Sequence, residues 1–174
     1  MKRVFIISCL VGVFALSNTI SVNAQYVTGI GLRGGKFNSG VSFKYFFDAN
    51  FHNGIEGLIA RSKIGTDYGW VAKGFYVLQL PLMDARLQAP FDIVLGGGVH
   101  GGYYKSGYYY IENDQQIPYA LDVYTFGFDA LIALEYKLPI ANFTLTVDCN
   151  PFIEVVNKGP ENLDFGLSLR YVFR

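Results

Sequence analysis

The sequence predicts an all-β fold, an eight-stranded antiparallel up-and-down transmembrane β-barrel. Charged residues make up only 16% of the chain, whereas 51% of the residues are hydrophobic and 17% are aromatic; soluble domains average about 25% charged residues. After the first 24 residues, no segment approaches the roughly 18 unbroken apolar residues of a transmembrane helix. Apolar and polar residues instead alternate with a period of two, which is typical of strands. Inside a bilayer, only helices and closed barrels satisfy all backbone polar groups, so the pattern favours a barrel.

The first 24 residues have the organisation of a secretory signal peptide. A basic start precedes the apolar run Val4–Leu16, and the small residues Val22 and Ala24 would occupy positions −3 and −1 of a cleavage site. The run has 13 residues, fewer than the roughly 20 that a helix needs to cross a bilayer. We therefore expect residues 1–24 to be an export signal and residues 25–174 to form one outer-membrane β-barrel domain.

Charge and cysteine content exclude several other classes of protein. Removal of Lys2 and Arg3 with the leader would leave 12 basic against 14 acidic residues, a net charge of −2. Nucleic-acid binders concentrate positive charge, so we expect no nucleic-acid partner. After processing, Cys149 would be the one remaining cysteine, which predicts a structural residue rather than a disulfide framework. Two scattered histidines without an acidic cluster give no reason to expect a metal or other cofactor.

Eight segments carry the strand pattern. The two clearest are Tyr124–Tyr136 and Leu163–Phe173, where apolar residues occupy one parity and mostly small or charged residues occupy the other. In Gly54–Ser62 the faces are ambiguous, because Ile55 and Ile59 differ in parity from Leu58. The other predicted strands are Tyr26–Arg33, Gly40–Phe47, Trp70–Leu80, Phe91–Tyr103 and Phe143–Asn150.

Alternation alone does not say which face of the strands points inward. A soluble lipocalin-like barrel would have an apolar interior, whereas a membrane barrel has an apolar exterior. The polar face of these strands consists mostly of Gly, Ser and Thr with isolated charges of both signs. A water-facing surface is expected to carry roughly a quarter to a third charged residues. The composition of the polar face therefore favours a membrane barrel with a narrow polar lumen.

Aromatic residues gather at the predicted strand ends. With both termini in the periplasm, one interfacial girdle would contain Tyr26, Phe47, Phe91, Tyr136, Phe143, Tyr171 and Phe173. The outer rim would contain Trp70, Tyr103, Tyr104 and Tyr124. The longest connection, Lys105–Leu121, would face outward. The connection Pro81–Pro90 is longer than a typical periplasmic turn and argues against this topology.

Four short segments carry a family resemblance: Gly31–Gly35, Gly40–Phe46, Ile55–Gly57 and Asp129 with Leu134–Lys137. They resemble the small outer-membrane β-barrel proteins of the OmpA/OmpX type. The resemblance implies a porin-like barrel in the cell outer membrane of a Gram-negative organism, in contact with outer-membrane lipid and lipopolysaccharide. It also implies recognition of the C-terminal strand by the barrel assembly machinery, which commonly reads a terminal aromatic residue. In this chain Phe173 is penultimate and Arg174 is last.

Nine charged residues have the parity of the polar face. Four are basic and five are acidic, so their charges nearly cancel: Arg33, Lys44, Lys73 and Arg170 against Glu56, Asp129, Glu135, Asp148 and Asp164. An eight-stranded barrel is just wide enough for side chains to fill it. Because unpaired buried charges are costly, we expect these residues to form a plug of salt bridges. A gated ion or solute path through the lumen is the alternative.

An enzyme is a further alternative, because some outer-membrane barrels modify lipid A with serine and histidine. That chemistry needs a nucleophile with a base in reach. His52 falls in a predicted periplasmic turn, and His100 has lumen parity, with Ser106 able to approach it only if the loop folds back. The pattern favours a hydrogen-bonding role for His100, so we do not expect an enzyme.

The sequence therefore predicts a structural or surface-interaction barrel. Tyr108, Tyr109 and Tyr110 in the long loop are candidates for contact with an unknown surface partner, since exposed tyrosines make good recognition surfaces. Packing onto an extended hairpin explains the same three residues equally well.

Overall fold

The computed structural model describes residues 27–47, 52–63, 68–82, 91–105, 108–138 and 141–173. The predicted signal peptide and Tyr26 lie outside these ranges. The described residues form ten strands: β1 Thr28–Gly35, β2 Asn38–Phe46, β3 Asn53–Lys63, β4 Tyr68–Pro81, β5 Phe91–Tyr104, β6 Tyr109–Glu112, β7 Gln115–Pro118, β8 Val123–Lys137, β9 Phe143–Val156 and β10 Leu163–Phe173. Within these ranges, no helix is long and apolar enough to cross a membrane.

Eight of these strands form a closed antiparallel barrel in the order β1-β10-β9-β8-β5-β4-β3-β2. The ring closes between β1 and β10, with Thr28 opposite Phe173 and Gly35 opposite Gly166. Strands β6 and β7 form a separate hairpin between β5 and β8. The predicted fold class is confirmed. We call the end of the barrel that holds Thr28 and Phe173 the base, and the opposite end, from which the hairpin extends, the crown.

Seven barrel strands begin and end within two residues of the predicted bounds, but β9 is six residues longer than predicted. The extension passes through Pro151, which cannot donate a ladder hydrogen bond because it lacks an N–H. The pairing of β8 with β9 skips Ala130 and Leu131 and resumes at Ile132, opposite Cys149. The Ala130 carbonyl instead accepts a hydrogen bond from Asn150 Nδ2 at 2.5 Å. The asparagine side chain thus supplies the donor that proline lacks, and β9 continues to Val156.

The alternation of side chains places apolar residues outside and polar residues inside. In β8, Phe126, Phe128, Ile132 and Leu134 are exposed, whereas Asp129 on the other parity is buried. The same arrangement recurs around the ring, so the barrel carries a continuous exposed apolar surface. Its large members include Ile30, Leu32, Val41, Phe43, Ile55, Ile59, Tyr76, Leu78, Leu80, Leu95, Val99, Val147, Ile153, Phe165, Leu167 and Leu169.

Some interior positions are apolar. The ambiguous strand β3 turns Ile55 and Ile59 outward and Leu58 inward, where Leu58 packs with Ala60 and Val71. A second interior cluster lies along several strands: Phe46, Phe75, Val77, Val94, Leu131, Ala133 and Val172. The interior is therefore a filled core of mixed polarity, as expected for a barrel of eight strands.

The predicted aromatic girdle is largely found at the base. Phe47, Phe143, Tyr171 and Phe173 are exposed there. Phe91 covers Tyr136, with ring centroids 4.8 Å apart, and Tyr136 is buried as a result. At the crown, Trp70 and Tyr124 are strongly exposed and Tyr103 packs on Tyr124. The expectation for Tyr104 was wrong: this side chain has the inward parity of β5 and is buried inside the crown.

Candidate functional site

All nine charged residues singled out from the sequence point into the barrel, and none is more than 8% exposed. They come from seven strands and fall into three groups, which we name for what they contain. The central network contains Lys44, Glu56, Glu135 and Arg170; the histidine cluster contains Lys73, Asp129 and the additional residues His100 and Glu154; and the Arg33 cluster contains Arg33, Asp148 and Asp164.

The central network crosses the bore of the barrel. Lys44 on β2 lies 3.0 Å from Glu135 on β8. These two strands are four positions apart in a ring of eight, so they stand on opposite walls. Arg170 on β10 forms an ion pair with Glu56 on β3 and lies 3.3 Å from Glu135. The two cations and two carboxylates therefore join four strands at the centre of the interior.

Neutral polar groups complete the bonding of this network. Arg170 also donates to Thr146 Oγ1 at 3.0 Å and to Ser42 Oγ at 3.1 Å. Lys44 lies 3.4 Å from Gln79 Oε1, and Gln79 donates in turn to Asp92. Asp92 forms an ion pair of 2.6 Å with Lys137. Buried ions are tolerated only when their remaining donors and acceptors are satisfied, and these contacts meet that condition.

The histidine cluster lies nearer the crown. Lys73 Nζ lies 2.8 Å from Asp129 and 2.5 Å from Asn150 Oδ1. His100 Nδ1 lies 2.5 Å from the other oxygen of Asp129, and its Nε2 lies 3.0 Å from Glu154. A protonated imidazole would donate a hydrogen bond from Nδ1 to Asp129 and form an ion pair with Glu154.

The Arg33 cluster occupies the opposite side of the crown half. The guanidinium of Arg33 lies 2.5 Å from Asp148 and 3.0 Å from Asp164, and it donates to the Asn38 carbonyl at 2.8 Å. Asp164 also accepts from Asn38 Nδ2 and from the Phe37 amide, both at 3.0 Å. Arg33 thus forms ion pairs with two carboxylates. Asp164 accepts further hydrogen bonds from one backbone N–H and one side-chain amide.

Aromatic side chains cover the crown above these clusters. Tyr108, at the foot of the hairpin, is 1% exposed and stacks on Tyr104 with ring centroids 4.3 Å apart. Val123 joins them, and Phe37 and Tyr119 pack against the group. Burial, with a further contribution from Glu154, raises the pKa of the Tyr108 phenol. We call this group the tyrosine cap.

The tyrosine cap corrects one expectation about the outer loop. Tyr108 was a candidate for partner contact, but it is buried because it stacks between Tyr104 and Tyr119. Tyr109 and Tyr110 are half-buried and belong to β6. Packing onto the hairpin, the alternative explanation of these tyrosines, therefore accounts for Tyr108. Of the three candidates, only Tyr109 and Tyr110 are partly exposed and could contact a partner.

The structure describes both histidines that were weighed for catalysis or metal binding. Both nitrogens of His100 face carboxylates, and Ser106 lies outside the described residues. His52 is half-buried beside the start of β3. Its backbone carbonyl accepts a hydrogen bond from the backbone N–H of Gln79. Among the described residues, no group of three or more His, Cys, Asp or Glu side chains is arranged to hold a metal ion. Cys149 is a half-buried free thiol.

Sequence reasoning missed several members of these clusters. Asp92 has the inward parity of its strand and could have been included on that basis alone. Glu154 lies beyond the predicted end of β9, where Pro151 concealed the continuing strand. The amides Asn38, Gln79 and Asn150 carry no charge and gave no comparable signal. The pairing of His100 with Glu154 was missed because Glu154 was not assigned to a strand.

No protein-family model matches the sequence, and no curated protein matches it. Among solved structures, the fold is similar to that in the crystal structure of the N-terminal β-barrel domain of Pseudomonas aeruginosa OprF. The TM-score is 0.64 at 14% sequence identity, with 86% of this chain and 100% of that chain covered. At this identity the likeness shows a shared fold, an outer-membrane-type β-barrel.

Proposed function

We propose that this protein is an integral outer-membrane β-barrel with a closed lumen and a structural or surface-interaction role. The observation that carries the proposal is the inverted distribution of polarity described above. Ion pairs fill the interior, while large apolar side chains cover the exterior of all eight barrel strands.

The exterior supports a lipid environment. Monomeric soluble proteins rarely expose contiguous apolar patches of more than a few hundred Å², yet the outward face of this barrel is apolar around its circumference. Exposed aromatic residues lie toward both ends, including Phe47 and Phe173 at the base and Trp70 and Tyr124 at the crown. Membrane barrels carry such aromatic girdles at both interfaces. The likeness to the OprF barrel domain agrees with this location.

The central network supports a closed lumen. Lys44 and Glu135 are both 0% exposed and meet from opposite walls, so their ion pair spans the bore. The tyrosine cap adds a second barrier at the crown. A conducting state would require both the ion pairs and the cap to rearrange.

Two experiments test the proposal. The full chain, expressed in a Gram-negative host, is expected to fractionate with outer membranes rather than with soluble periplasmic protein on a density gradient. In planar bilayers the purified protein is expected to give no stable single-channel conductance. Stable channels whose conductance changes in Glu135→Gln would overturn the closed lumen and favour a narrow gated pore.

We further propose a non-enzymatic role in which the crown contacts lipopolysaccharide or another surface molecule. The position of His100 between Asp129 and Glu154 supports this, because ion pairs with two carboxylates favour the protonated ring, whereas a general base must be unprotonated. Mass spectrometry of lipid A from cells with and without the protein tests it: an altered lipid A that reverts in His100→Ala would favour an enzyme.

The exposed Phe173 on β10 is the proposed contact for the barrel assembly machinery.

A further inference from the structure

Glu154 links the histidine cluster to the tyrosine cap. It lies two residues before the end of β9, with its side chain turned inward and 8% exposed. On one side its carboxylate lies 3.0 Å from His100 Nε2. On the other side it adjoins the Tyr108 phenol, whose pKa is raised by burial and, to a lesser degree, by the charge of Glu154. This buried carboxylate therefore lies between the interior ion pairs and the cap.

The cap in turn holds the outer hairpin. The Tyr108 ring stacks on Tyr104, and the Tyr108 carbonyl accepts a hydrogen bond from the Tyr119 N–H at 2.8 Å, which closes the foot of β6 and β7. The hydroxyl of Tyr108 lies against Gly159 in the connection between β9 and β10. Tyr119 donates to the Lys158 carbonyl of the same connection at 3.3 Å. Displacement of Tyr108 would therefore loosen the hairpin.

The charges of the histidine cluster balance only when His100 is protonated. Lys73 and the imidazolium then face Asp129 and Glu154, two positive charges against two negative charges. Among the described residues, the salt bridge with His100 is the one that Glu154 makes, because Lys73 is engaged by Asp129 and Asn150. A neutral ring that keeps its proton on Nδ1, toward Asp129, turns the lone pair of Nε2 toward Glu154. Loss of the proton thus leaves Glu154 as a buried, unpaired charge.

Hydrogen bonds do not replace the lost charge. Within the described ranges, His100 Nε2, Glu154 Oε2 and the Tyr108 hydroxyl are buried without a hydrogen bond of good geometry. Phe152 packs edge-on against the imidazole and offers no polar group. Asp164 on β10 is bound by Arg33. The titratable groups around the pair of His100 and Glu154 are Lys73 on β4, Asp129 on β8, Tyr104 on β5 and Tyr108 below the hairpin.

We propose that the proton on His100 latches the tyrosine cap and the hairpin onto the barrel, and that its release to solvent opens them. A buried carboxylate without a counter-charge is costly, and outward movement of Tyr108 would admit water to Glu154. The closed state then binds one more proton than the open state, so it is favoured at low pH and lost as the pH rises through the titration of His100. One linked proton changes the ratio of open to closed molecules by up to about tenfold per pH unit.

A nitroxide on the hairpin would report this equilibrium. Gln116 is exposed on β7, and Gln116→Cys would be labelled in a Cys149→Ala chain, because Cys149 is a free thiol. The protein, purified from membranes in mild detergent, would be followed by electron paramagnetic resonance from about pH 5 to about pH 10, which includes the ordinary titration range of imidazole. The His100 ring would be titrated in parallel by NMR with ¹³C-labelled histidine, assigned with His52→Gln. We expect the mobile fraction of the label to rise with the same midpoint as the His100 ring.

Three variants separate the latch from other titrations. Glu154→Gln removes the charge that needs a counter-ion, and its amide can donate to a neutral His100, so the hairpin is expected to stay immobile throughout. Glu161→Gln is the matched control, because Glu161 is an exposed carboxylate 3.6 Å from Lys36, and it should leave the transition unchanged. Tyr108→Phe keeps the stacked ring without the hydroxyl and should retain the transition. Unboiled gel mobility would verify that each variant is folded.

A label whose mobility does not depend on pH would overturn the latch, as would a transition whose midpoint differs from that of the His100 ring. An unchanged transition in folded Glu154→Gln would also overturn it, because no buried carboxylate would then be left to drive the opening. Loss of the transition in Tyr108→Phe would assign the effect to the phenol and contradict the role of His100.

Discussion

Glu135→Gln tests the central network most sharply. The carboxylate of Glu135 is fully buried and lies 3.0 Å from Lys44 and 3.3 Å from Arg170. The substitution keeps the shape of the side chain but removes the negative charge that Lys44 and Arg170 share. Removing one partner of a buried ion pair typically costs 3–5 kcal/mol. We therefore expect the free energy of unfolding to fall by about 4 kcal/mol.

The assay is equilibrium unfolding by urea in lipid vesicles, followed by Trp70 fluorescence. Lys36→Gln is the control: the Lys36–Glu161 pair is 3.6 Å long, with side chains 55% and 42% exposed, and exposed pairs contribute about 0–1 kcal/mol. The double variant Lys44→Gln/Glu135→Gln leaves Arg170 with Glu56 and should cost less than the sum of its single variants. A Glu135→Gln protein within about 0.5 kcal/mol of wild type would refute the reasoning, because so small a loss is typical of exposed surface substitutions.

Three further substitutions follow from packing and hydrogen bonding. Gly98→Val should reduce the folded fraction on a gel, because its Cβ would collide with the backbone of β4, whereas Gly97→Val, with nothing within 4 Å, should fold normally. Tyr108→Ala should cost about 3 kcal/mol of local stability and raise hydrogen exchange in β6 and β7 while the barrel amides stay protected. Asn150→Ala leaves the Ala130 carbonyl without its donor and should lower stability by about 1–3 kcal/mol, measured by urea unfolding.

The barrel architecture could be predicted because its signal is local. In β8 and β10 the parity of each side chain predicts the face on which it lies, because the outward face is apolar and the inward face is mostly small or charged. Where an interior position is apolar the signal fails, as at Leu58, which packs with Ala60 and Val71 inside the barrel. The strand was recognisable there, but its faces were not.

The partners within the interior could not be predicted, because they depend on three-dimensional placement. The alternation of residues predicts that Lys44 and Glu135 both point inward. Their contact across the bore, however, depends on the number of strands and on how the strands are staggered. Glu154 was lost for a local reason: Pro151 usually marks the end of a strand, and here Asn150 compensates for it. The burial of Tyr108 depends on how the loop folds back, which composition does not encode.

The central claim is that the apolar face of the barrel meets lipid and the charged face is enclosed. Electrophoresis of the unboiled and boiled protein, purified in mild detergent, tests it most directly, since a closed membrane barrel stays compact in cold detergent. We expect two distinct mobilities, with β-rich circular dichroism only in detergent or lipid. A chain that folds as a soluble monomer in plain buffer and shows a single mobility would contradict the account.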